Sequence, residues 1–64
     1  MTQYLVTLHE HVRNDGLEER VLRAESFSVI RRDPDMNTVV LKGPPDALDT
    51  LKRHPFIQWV EVML

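Results

Sequence analysis

Sixty-four residues with a formal net charge of −2 make one domain, read as 1–64, that buries only a modest core. The mixed, nearly balanced charge excludes a general nucleic-acid binder, which needs a basic patch to neutralise phosphates, and no apolar run approaches membrane-spanning length. With no cysteine, neither a disulfide nor a thiolate metal site supports the fold, so an economical apolar core or a partner that binds the folded state must do so.

Met1 to Val6 shows no basic region followed by a signal-like apolar stretch. Taken as complete, the chain is expected to be a cytoplasmic protein; taken as an excised domain, its location is unknown. From Gln3 to His9, Tyr4, Val6 and Leu8 point one way, while Leu5 sits opposite with Gln3 and Thr7. This alternation, with Tyr, Val and Thr among the residues, predicts a first strand. His9 to Arg13 connects it to a helix. Asn14 or Asp15 caps that helix through a side-chain oxygen, and Asp15 puts Glu18 at capping-box spacing. Leu17, Val21, Leu22 and Ala24 then form the buried stripe, with Glu18, Glu19, Arg20 and Arg23 toward water.

Ser26 to Arg32 is the second predicted strand. Phe27, Val29 and Arg31 share one of its faces, Ser28 and Ile30 the other. Asp33-Pro34-Asp35-Met36-Asn37 is turn material, since Pro fixes one dihedral and Asp and Asn bond nearby backbone. Thr38 to Lys42 returns as the third strand of an antiparallel hairpin. Gly43-Pro44 ends it. Pro45 suits the first turn of a helix running to His54, whose apolar side is Ala47, Leu48 and Leu51 and which Pro55 closes. The remaining residues, Pro55 to Leu64, form the fourth strand. The order strand, helix, strand, strand, helix, strand predicts an α+β, ferredoxin-like split β-α-β fold. In it two helices cover one face of a four-stranded antiparallel sheet and leave the other face open.

The last strand is apolar on both faces, which is unexpected for a half-exposed strand. The reading adopted here places Val60 and Val62 under the helices and Ile57, Trp59 and Met63 on the open face, although one register step reverses it. Trp59 either folds over the sheet edge to shield a thin core or anchors a protein contact, as buried aromatics do at interfaces.

The segment Leu51-Lys52-Arg53-His54-Pro55-Phe56-Ile57-Gln58-Trp59-Val60-Glu61 resembles the closing part of subtilisin propeptides and of the related stand-alone inhibitors, the peptidase inhibitor I9 group. The matching residues are Leu48, Leu51, His54, Pro55, Ile57, Trp59, Val60 and Glu61, and Tyr4 to Leu8 is similar to the family's first strand. Met63 stands where that family usually carries an acidic residue. The resemblance implies the same split fold and a subtilisin-like serine protease as partner, which the protein inhibits or, as a propeptide does, helps to fold. It implies that the open sheet face packs on two protease helices and that the C-terminal segment enters the cleft. Trp59 and Glu61 would then lie on the contact surface. Val62, Met63 and Leu64 would approach the cleft, with Leu64 at the first specificity pocket.

Other chemistry is sparse. His9 and His11, with Glu10 between them, lack a convincing third metal ligand and read as solvated residues at a strand end. His54 sits by a helix terminus, where its charged form interacts with exposed carbonyls. Asp46 and Asp49 share a helical side but read as a solvated face. Arg31 and Arg32 are too few for nucleic acid. No serine nucleophile has a credible base, and there is no Gly-rich phosphate loop. The expectation is therefore a non-enzyme without cofactor or metal. Its protein-binding residues are Ile57, Trp59, Glu61, Val62, Met63 and Leu64. The alternative to a protease inhibitor is a small adapter or subunit that binds another protein, or a second copy of itself, through the open face or an edge strand.

Overall fold

A computed structural model describes residues 1–12 and 19–63, with the side chains of 19–21 outside that description. The expected cap at Asn14 or Asp15, Leu17 of the helical stripe, and Leu64 lie outside the described residues, as does the side chain of Val21.

The elements are β1 (Thr2–Leu8), α1 (Glu19–Ala24), β2 (Ser28–Asp33), β3 (Thr38–Gly43), α2 (Leu48–Lys52) and β4 (Ile57–Met63). All strand pairings are antiparallel, in the order β2-β3-β1-β4. Two helices pack on one face of this sheet, which is the ferredoxin-like α+β arrangement expected from the element order. The inward alternation of β1 holds: Tyr4, Val6 and Leu8 are buried. They meet Val39 and Leu41 of β3, Leu22 of α1, Leu51 of α2 and Val60 of β4 in one core.

Helix α1 ends where its residue in the left-handed region, Ser26 (φ 72), turns the chain. The Phe27 amide donates to the Leu22 carbonyl at 2.9 Å and the Ser26 amide to that of Arg23 at 3.0 Å. This is the Schellman closure, with Leu22 and Phe27 as its buried apolar pair. Ala24, expected in the buried stripe, is exposed; at 100° per residue it lies far round the helix from Leu22. Phe27 precedes β2 rather than lying in it. Its ring meets Tyr4 edge-on at 6.1 Å and covers Gly43, where any Cβ would overlap it.

The start of α2 also differs from the sequence expectation. Pro45 and Asp46 form a turn, with Asp46 at φ 61, and the helix begins only at Leu48. The Tyr4 hydroxyl closes that turn: it donates to the Pro44 carbonyl at 2.7 Å and accepts from the Ala47 amide at 3.1 Å. Asp46 and Asp49 therefore do not share a helical face.

Two bulges reset the strand faces. The β2–β3 register shifts between Val29 and Arg31, so Val29 opposes Leu41 on the helix side while Arg31 opposes Val40 on the open side. Arg31 thus leaves the face it was expected to share with Val29. The β1–β4 register shifts between Thr7 and Leu8, so Ile57 opposes Leu8 and Trp59 opposes Thr7. An extra residue on one strand changes the phase of everything beyond it.

Candidate functional site

The open face is built from the outward residues of four strands. Register places Gln3, Leu5 and Thr7 of β1 opposite Met63, Glu61 and Trp59 of β4. On their other side they meet Lys42, Val40 and Thr38 of β3. Arg31 and Asp33 of β2 continue the rows through Val40 and Thr38.

Among the residues expected to bind a partner, the structure separates Ile57 from the rest. Ile57 is 7% exposed and belongs to the core, because the bulge near Gln58 turns it toward Leu8. Its expected place on the open face is corrected to the helix side. Trp59 is 58% exposed and does lie on the open face. Its Nε1 donates to Glu61 Oε1 at 3.0 Å, a bond between neighbours on one side of a strand that fixes the indole along the sheet edge. The exposed indole is therefore not a lid over the core. Met63 (40% exposed) shares this face. Val62 opposes Tyr4 on the helix side, as expected, but remains 46% exposed at the edge. Both Val62 and Met63 are paired with β1. Leu64, the expected first-pocket residue, is outside the described residues.

A shallow depression of about 250 Å³ lies on this face, lined by Leu5, Arg31, Asp33, Thr38, Val40 and Met63. Sequence reading missed Arg31 and Val40 as neighbours of Met63. The bulge that aligns Arg31 with Val40 carries no local residue signature. The floor is aliphatic and the rim carries both charge signs, a composition suited to a protein surface.

At the end of β1, Asn37 (φ 53) organises the connector. Its Nδ2 donates to the carbonyls of His9 at 2.8 Å and Leu8 at 3.3 Å, and its own carbonyl accepts from the Leu8 amide at 2.9 Å. Asp33 Oδ1 accepts from the Asp35 amide at 3.2 Å, the local turn bonding expected of this segment. The His9 and His11 rings stack at 5.5 Å. No group of three or more His, Asp or Glu among the described residues is placed to hold a metal ion. Among the described residues no helix is long and apolar enough to cross a membrane. His54, expected at the end of α2, also reaches across the fold. Its Nε2 is in hydrogen-bonding contact with Glu25 Oε1, and its ring stacks on Phe56 at 4.9 Å.

No protein-family model matches the chain, no curated protein matches it, and no solved structure matches it.

Proposed function

We propose that this chain is a protein-binding module that presents the open face of its sheet, with Trp59 as anchor, to a subtilisin-like serine protease that it inhibits or helps to fold. The observation that carries the reading is the exposed Trp59, tied to Glu61 on the side of the sheet away from the helices. A large aromatic held in one orientation offers contact area at little entropic cost, which is why Trp dominates interface energetics. The partner class rests on the resemblance of residues 48–61 to subtilisin propeptides. In that reading Glu61 and Met63 flank the anchor, and Leu64 follows them toward the protease cleft.

A second reading is favoured by one observation. Val62 and Met63 are held in the sheet by β1, and residues paired in a sheet cannot at the same time lie in a protease cleft. The chain would then be a non-catalytic adapter that uses the same face on a different protein. Incubation with a subtilisin-type protease, following residual activity together with intact mass, separates the two. Tight inhibition with an intact chain supports the inhibitor, and removal of residues 62–64 then sharply weakens it. Rapid digestion without inhibition rejects the protease and leaves the adapter.

A further inference from the structure

The sheet ends in two edges of different character. Edge strands expose unpaired amides and carbonyls, and proteins that stay monomeric blunt them with bulges and charges. The β2 edge carries both devices: a register break around Ile30, then Arg31, Arg32 and Asp33 in succession. The β4 edge is far less protected beyond Gln58. From Trp59 to Met63 its register with β1 is unbroken, it contains no Lys, Arg or Pro, and Glu61 is its sole charge. Exposed apolar side chains stand on both of its faces, Trp59 and Met63 on one and Val62 on the other. A regular, weakly charged edge strand with exposed apolar side chains is a template for pairing with another strand.

We propose that β4 pairs antiparallel with β4 of a second copy of this chain, making one continuous eight-stranded sheet about a twofold axis at Val60. A twofold perpendicular to the sheet keeps both open faces on the same side, so residues opposite one another must share a face. An axis at Glu61 sets two carboxylates against each other, which is unfavourable. Neither an axis at Trp59 nor one at Val62 opposes the indole to a carboxylate: the first sets Trp59 against its own copy, and the second sets Glu61 against Met63. The axis at Val60 opposes Trp59 to Glu61 of the second copy, twice by symmetry, and Val60 to itself. The indole already donates to its own Glu61 carboxylate at 3.0 Å. Directly opposed residues have Cβ atoms about 4.5–5.5 Å apart, closer than the roughly 6.6–6.8 Å between alternate residues along a strand. The same donor and acceptor thus meet across the twofold without loss. The pairing does not rest on the open-face reading, since both open faces stay accessible in such a dimer.

Sedimentation equilibrium of the full chain, from micromolar to millimolar concentration, is expected to approach twice the 7.5 kDa monomer mass. Trp59→Glu, which brings carboxylates together at both symmetric positions, is expected to weaken self-association by at least about tenfold, with an unchanged far-ultraviolet spectrum. The chain has no cysteine, so register is read by mixing Trp59→Cys with Glu61→Cys under mild oxidation. A disulfide-linked heterodimer is expected, above the collision background given by Ser28→Cys on the far edge. A monomer at every concentration overturns the proposal, as does a dimer that Trp59→Glu leaves intact or that traps no more disulfide than the background. Protease inhibition is measured separately, so a monomer that still inhibits sinks the pairing and spares the proposed function.

Discussion

Tyr4 has two roles on one side chain. Its ring fills the core under α2, and its hydroxyl takes the place of a helix cap by joining the Pro44 carbonyl to the Ala47 amide. The second role explains why α2 begins without a capping side chain of its own. Tyr4→Phe keeps the packing and removes both bonds, leaving the Ala47 amide buried without its acceptor. A loss of about 1–3 kcal/mol is expected, read as a lower midpoint in urea at unchanged slope. An unchanged midpoint would show that the turn is held by backbone alone. That Tyr4 points inward is legible from alternation along β1. What its hydroxyl touches is not, because the partners lie 40 and 43 residues away.

At the scale of elements, ends and irregularities were harder to read than the elements themselves. Helix α1 stops at a left-handed residue that is a serine, where glycine is the usual occupant. An L-residue there carries a steric penalty that glycine avoids, partly offset by glycine's looser unfolded chain. Ser26→Gly is therefore expected to stabilise the fold by about 0.5–1 kcal/mol, or a few degrees in Tm for a domain of this size. A lower Tm would mean that the serine side chain contributes more than its backbone strain costs. The strands show the same division. Each of the four is visible from composition and turn residues, yet alternation puts Arg31 and Ile57 on the wrong faces. Strict alternation assumes one residue per step, and a bulge inserts an extra one. The bulge near Gln58 turns Ile57 in against Leu8 and still leaves Trp59 outside. That choice is set by the partner strand and by what the core needs, neither of which is written in the local sequence.

For the whole molecule, the core and the proposed recognition fall on different faces of the sheet. The helix side holds the core and is tied just past the ends of α1 and α2 by the Glu25–His54 contact. The open side holds Trp59, whose indole contributes little to that core because it is 58% exposed. That an aromatic or large aliphatic residue faces outward is legible from the two-faced apolar pattern of the last strand, and the partition itself makes the site testable. Trp59→Ala is expected to change unfolding free energy by no more than about 0.5 kcal/mol, as surface substitutions generally do. If the chain inhibits a protease as proposed, the same change should weaken that inhibition by roughly thirtyfold or more, the loss typical of a truncated interface anchor. Glu61→Gln keeps an acceptor for the Trp59 Nε1, so it should retain most of the inhibition if the carboxylate's role is to orient the indole. The informative result is the split between the two measurements. A variant that loses both stability and inhibition would place Trp59 in the core's service. One that loses neither would move the contact off the open face, whereas loss of inhibition alone is what a sheet with one structural and one recognising side requires.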